Sequence, residues 1–178
     1  MSFMTSIQYY LPELILALKE TGIMMGIAMT SCLLIGLPLG IAMFDANPQI
    51  QRKRTIRYWL FNFIVTFVRS FPYLLFVITL IPLTRFLLGR AFGPYPASFS
   101  LSLIGIVIFA RLVEQVLLDV PVATRELASA LGATKWQYIW HFLLAEARSG
   151  LVLGYTTAVV SLVSYSTVMG IIGGGGIG

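Results

Sequence analysis

The sequence predicts an all-α polytopic membrane protein, and three features carry that prediction. Four long apolar runs are present, the charge content is low, and most of the basic residues flank the runs. Of the 178 residues, 58% are hydrophobic and 11% are charged, against about 25% charged in a soluble domain. A soluble fold this apolar lacks the polar surface to cover its core. The excess faces lipid.

Crossing ~30 Å of hydrocarbon takes ~20 helical residues, and the chain offers four such stretches. The first span is predicted over residues 22–44, closed by Asp45 and containing Pro38. Neighbouring helices can satisfy the carbonyl that a membrane proline frees, so a kink is expected there. The second is predicted over 58–84, apolar except for Arg69. The third covers 97–118, with Arg111 and Glu114 near its end, and the fourth covers 150–172. Residues 1–21 read as an extracytoplasmic lead-in and 22–178 as one transmembrane domain. No cleavable leader is visible in 1–18, which lack a basic start and a small-residue cleavage site.

Orientation follows the lysines and arginines of the short loops. Arg52, Lys53, Arg54 and Arg57 lie between spans one and two, and Arg125, Lys135 and Arg148 lie between spans three and four. Lys19, Arg85 and Arg90 lie on the other side. Seven against three places both richer segments in the cytoplasm. Tyr58, Trp59, Tyr95 and the Trp136–Trp140 stretch sit where an interfacial aromatic belt would place them. The net charge of +5 forms no stripe on a polar face, so no nucleic acid is expected as a partner.

Between spans three and four runs the polar segment 119–148. Pro121 suits the first turn of a helix, Gly132 is placed to end that helix in a left-handed conformation, and Thr134 with Gln137 forms a capping box for a second helix. Two short helices at a fixed angle are therefore expected on the cytoplasmic face. Such a pair is either an interfacial connector or a docking knob for a soluble partner.

Here the residues resemble a known family. Glu126-Leu-Ala-Ser-Ala-Leu-Gly132, followed by Phe142-Leu-Leu-Ala145, is similar to the EAA loop of ATP-binding-cassette importer permeases. Glu126, Ala128, Gly132 and Leu144 match that pattern, whereas Leu127, Phe142 and Ala145 depart from it, Ala145 standing where the pattern has proline. Val68-Arg-Ser-Phe-Pro-Tyr-Leu-Leu, Ile81-Pro-Leu-Thr-Arg85, Ala110-Arg-Leu-Val-Glu114 and the stretch from Tyr165-Ser to Gly173-Gly-Gly-Gly-Ile-Gly178 resemble permeases of the methionine-importer type. The likeness runs from about Glu20 to the end.

The resemblance implies a type I importer permease in the bacterial inner membrane. Two copies would form one pathway, each docked through Glu126, Ala128, Gly132, Ala133 and Leu144 on a cytoplasmic ATPase subunit that binds the ATP. An extracytoplasmic substrate-binding lipoprotein would deliver the amino acid. It also implies one further membrane helix beyond Gly178, so the chain reads as shortened.

Several residues invite other readings. The tail 173–178 precedes no helix, and no Gly-Lys-Ser/Thr occurs, which excludes a P-loop. No cofactor is therefore expected in this chain. Cys32 is alone, so neither an internal disulfide nor a CxxC metal site is available. His141, the sole histidine, lacks ligands at metal spacing. Serine, histidine and acidic residues form no triad, so an intramembrane enzyme is disfavoured. Arg69 is costly at mid-span, ~2.5–3.5 kcal/mol on insertion scales, so it is expected to pair or to face a polar cavity. Arg111 and Glu114 stand three apart on one helix face and are expected to pair. Ser161, Ser164, Tyr165, Ser166 and Thr167 give span four a polar side, which serves either helix packing or a pathway for an amino acid. The alternative to an ATP-driven permease is a fragment of an ion-coupled secondary transporter. Against it stand the absence of a clear inverted repeat and a two-helix loop that such a carrier does not need.

Overall fold

The computed structural model describes residues 3–51 and 56–177. Arg52, Lys53 and Arg54, on which the orientation partly rests, and Gly178 of the tail lie outside the described residues, as do residues 1–2 of the lead-in.

The described chain is helical throughout, with short breaks. Helix α1 (Phe3–Ser31) passes through a π-helical turn (Cys32–Gly36) into α2 (Leu37–Ala46). The lead-in and the first span are thus one helix, because nothing between Glu13 and Gly22 ends it. The apolar stretch runs over Tyr10–Ala46. The π turn ends two residues before Pro38. Its widened ring, closed by the Leu37 N–H donating to Cys32 O, absorbs the irregularity that a missing proline N–H imposes.

After α3 (Pro48–Gln51) come α4 (Ile56–Ser70) and α5 (Tyr73–Leu88). The stretch expected as a second span over 58–84 is two helices in place of one straight helix. The two helices meet at 108° across Phe71 and Pro72. Proline bars Phe71 from the helical region, and Pro72, with φ −56° and ψ 132°, starts α5 afresh. Arg69 therefore sits in the last turn of a short helix, beside a break, instead of midway along a straight span. Helix α6 (Pro94–Leu118) follows the expected third span.

Helices α7 (Val122–Ala130) and α8 (Lys135–Gln137) form the polar element. A π-helical stretch (Tyr138–Leu143) then leads directly into α9 (Leu144–Ile171). The separate second short helix and fourth span are one helix over Lys135–Ile171. With alanine at position 145 and neither proline nor glycine between Lys135 and Ser149, nothing breaks it. Three helices are long and apolar enough to cross a membrane, and the bent pair α4–α5 is a fourth if counted as one broken span.

Helix α6 is the centre. It packs α1, the first π turn and α2 on one side and α9 on another, with α4 and α5 touching it more lightly. Met24, Ala28 and Cys32 meet Leu101, Ile104 and Phe109 of α6, and Ala158, Leu162 and Met169 of α9, all buried. The α2–α6 approach is backbone-close: a Cβ on Gly40 would lie 2.5 Å from Val113 Cβ and 2.7 Å from Ala110 O. Small residues at such crossings are how membrane helices gain packing without a hydrophobic effect between them. The α4 face bearing Trp59, Phe63 and Phe67 is exposed, its rings stacked one turn apart, and Phe67 meets Phe71 beyond the helix end edge-to-face. The glycine-rich tail lies back on the first helix, where Gly176 N–H donates to Glu20 Oε2 at 2.9 Å and Ile177 N–H to Thr21 Oγ1 at 3.1 Å.

Candidate functional site: a capped two-helix element and an intramembrane polar cavity

The turn between α7 and α8 is fully capped at both ends. Gly132 adopts φ +67°, Gly132 N–H donates to Ser129 O at 3.0 Å and Ala133 N–H to Ala128 O at 3.0 Å. That pair of bonds is a Schellman motif, which satisfies the last carbonyls of α7 and needs a left-handed residue at Gly132. Two residues on, Thr134 Oγ1 accepts from Gln137 N at 3.3 Å and Gln137 Oε1 accepts from Thr134 N at 2.8 Å. This is the capping box, and it fixes the first turn of α8.

The element is also tied to the first span. Lys135 Nζ meets Asp45 Oδ1 at 2.6 Å, and an Arg125 guanidinium N–H donates to Ile50 O at 3.4 Å. Together with Phe44, Ala128, Ala133 and Tyr138, these residues surround an open cavity of about 410 Å³.

Of the residues singled out in the loop, Glu126 and Gly132 project outward, Ala128 is buried and Ala133 half-buried against the cavity, and Leu144 is half-buried against the core. Around Glu126 the outer face carries Val122, Leu127, Leu131 and Trp136, each more than half exposed. Exposed apolar side chains on a rigid polar knob mark a contact surface. Leu127 and Leu131, one turn apart, were not among the docking residues named from the sequence, although their spacing was legible there.

Behind this element sits a buried charge network. Glu114 is 1% exposed. Its Oε2 accepts from Arg111 at 2.7 Å and its Oε1 from Asn47 Nδ2 at 2.9 Å, while Arg111 also donates to Asn62 Oδ1 at 3.1 Å. The expected Arg111–Glu114 pair is present. Asn47, at the end of α2, and Asn62, on α4, extend it across three elements. A buried carboxylate is tolerable when paired and hydrogen-bonded in this way.

The second feature lies within the membrane-spanning region. Arg69, Tyr73, Gln115, Thr157, Ser161 and Tyr165 line a cavity of about 320 Å³, together with Phe71 and the apolar residues Ile104, Ile108 and Leu112. The structure thus brings Arg69, Ser161 and Tyr165 together. Ser164 and Ser166 do not line this cavity; they donate to Val160 O and Val163 O of their own helix. Tyr73, Gln115 and Thr157 join the cavity only because α4 and α5 are bent apart, which sequence periodicity does not reveal. Among the described residues no group of three metal-ligating side chains occurs.

A central helix packed between a first and a last long helix, with a capped polar knob below, is the architecture of a transport permease. Residues 34–178 match the family of binding-protein-dependent transport system inner membrane components, and the chain belongs to that family. It is a multi-pass inner-membrane transport component. Among its relatives, the probable D-methionine transport system permease protein MetI of Haemophilus influenzae is 39% identical over 147 residues, covering 82% of this chain and 68% of the relative. The corresponding Vibrio cholerae protein is 33% identical over 181 residues, covering 100% and 80%. Among solved structures, inward-facing conformations of the MetNI methionine ABC transporter superimpose with a TM-score of 0.88 at 31% identity, covering 99% of this chain and 79% of that one. An amino acid ABC transporter with histidines has a TM-score of 0.73 at 18% identity and covers 96% and 77%, which speaks for the fold alone. Family membership sets aside the ion-coupled carrier.

Proposed function

We propose that this chain is the permease subunit of an ATP-driven methionine importer, with D-methionine among its cargo. The likeness to the methionine ABC transporter over 99% of the chain, at 31% identity, is the observation that carries this reading. In it, residues 22–178 form the permease domain, two copies line one pathway, and a separate cytoplasmic ATPase binds the ATP. An extracytoplasmic binding protein delivers the cargo. The segment 119–148 faces the cytoplasm, and Glu126 and Gly132 belong to the docking surface. Ala128, Ala133 and Leu144 seat it on the spans.

The mechanism follows from how the docking element is attached. ATP draws the two ATPase subunits together, and each carries its docked α7–α8 element. The element is rigid because both of its inner helix ends are capped. It is continuous with α9, and it is tied to the end of α2 through Lys135 and Asp45. Movement from below is thereby passed to both helices that flank α6. The helix interfaces act as the bistable element between inward-open and outward-open states.

The test is reconstitution of the permease with its ATPase subunit and binding protein in sealed vesicles, with radiolabelled D- and L-methionine as cargo. Uptake that requires ATP and ignores an imposed ion gradient is expected. Uptake driven by the gradient without ATP, or no methionine uptake at all, would overturn the reading.

A further inference from the structure

We infer that the cavity between α4, α5, α6 and α9 is a cargo site. It takes a zwitterionic amino acid with an apolar side chain, with Arg69 as the carboxylate anchor. The inference rests on the importer reading and adds the chemistry of recognition inside the membrane.

Two polar groups in the cavity are left without partners. Arg69 is exposed to the cavity and makes no ion pair or hydrogen bond within the described residues. Tyr73 is 8% exposed, and its Oη has no hydrogen-bond partner. A buried hydroxyl left unsatisfied marks a place where a ligand or water belongs, and an unpaired arginine at membrane depth is a functional residue by default. No carboxylate lines the cavity. The nearby Glu114 is occupied by Arg111 and Asn47. The negative charge that Arg69 calls for must therefore arrive from outside. A guanidinium matches a carboxylate in shape as well as charge.

The opposite wall has the complementary character. Thr157 Oγ1 donates to Leu153 O at 2.9 Å, and Ser161 Oγ donates to Thr157 O at 2.9 Å. With their protons committed to the helix backbone, both hydroxyls keep oxygen lone pairs as acceptors. Gln115 adds an amide oxygen. These three oxygens suit an ammonium group, which only donates. Ile104, Ile108, Leu112 and Phe71 supply apolar contact for the remaining side chain. A volume of about 320 Å³ lies at the small end of the ~300–1,000 Å³ typical of ligand sites, as fits one amino acid. The Tyr73 and Tyr165 rings pack at a tilt of 33° with centroids 4.4 Å apart, which links the α5 and α9 walls.

The test uses the intact permease–ATPase complex in lipid nanodiscs without binding protein, so that only the permease discriminates. Equilibrium binding of radiolabelled methionine is measured, with methioninamide and N-acetylmethionine as competitors. Methionine is expected to bind saturably, and either competitor to be weaker by about tenfold or more, since each lacks one charged hydrogen-bonding end. Arg69→Gln should weaken methionine by roughly tenfold or more and erase its advantage over methioninamide, but not its advantage over N-acetylmethionine. Arg69→Lys should retain part of the advantage, and Tyr73→Phe should weaken binding about threefold. No saturable binding by the wild-type complex, unaltered binding in Arg69→Gln, or a preference for methionine over methioninamide that survives it would overturn the cargo site. A permease that imports methionine with ATP and yet gives any of those results loses only this inference. One that imports no methionine loses the importer reading itself.

Discussion

Helix α6 and the α7–α8 element are neighbours in sequence, yet they hold their shape by opposite means. Along α6, fourteen residues from Pro96 to Leu117 are buried, and its form follows from helices pressed against it. In α7 only Ala128 is buried, and in α8 none is. The element is held by local bonds, namely a Schellman turn, a capping box and a lysine–aspartate pair. A helix specified by packing transmits a defect throughout the fold, whereas a helix specified by caps can change locally. The spans and the capped element are therefore separable by mutation, and each prediction below presses on that separation.

The largest effect is expected at Glu114→Ala. Removing one member of a buried charged network costs ~3–5 kcal/mol, because Arg111 and Asn47 lose their acceptor. Thermal unfolding of the detergent-solubilised protein should shift strongly, with docking lost only in proportion to folded material. Next comes Gly40→Val, where the new side chain meets Val113 and Ala110 O. Overpacking of this kind costs ~1–3 kcal/mol, read as lower yield and melting temperature with ATPase retention per folded molecule unchanged. Gly132→Val reverses the pattern. A β-branched residue in the left-handed region costs ~1 kcal/mol or more, but nothing packs within 4 Å of that position. The spans should melt as in the wild type while ATPase retention falls by an order of magnitude. The smallest effect belongs to Lys135→Ala. Its side chain is 66% exposed, and an exposed pair is worth ~0–1 kcal/mol, so stability should barely move. ATP-driven uptake should slow modestly, as one tie between the knob and α2 is lost. A Glu114→Ala protein that folds normally, or a Gly132→Val protein whose spans unfold, would break the distinction.

The same contrast explains what could be read from the chain. The knob was legible because its determinants are local: Gly132, Thr134 and Gln137 specify their turns within a few residues. Spans one and three were legible from apolar length alone. The α4–α5 break was signalled by Pro72 and masked by unbroken hydrophobicity on either side. The continuity of α8 with α9 was hidden by the expectation of a stop before Gly150, although no helix breaker occurs there. The Asn47–Glu114 contact joins residues 67 positions apart, and no local pattern encodes it. The cavity was half legible. Arg69, Ser161 and Tyr165 stand out as polar residues in apolar runs, whereas Tyr73, Gln115 and Thr157 reach it only through the tertiary bend.

The central claim is that the capped element is the coupling contact and stands apart from the packed spans. Its most direct test is retention of the ATPase subunit by Glu126→Ala and Gly132→Val permeases, with membrane insertion and melting measured on the same preparations. Both variants should insert and melt like the wild type while losing ATPase retention and methionine uptake, Gly132→Val the more severely. Two loop variants that hold the ATPase and transport at wild-type rates would make the element a mere connector and contradict the account.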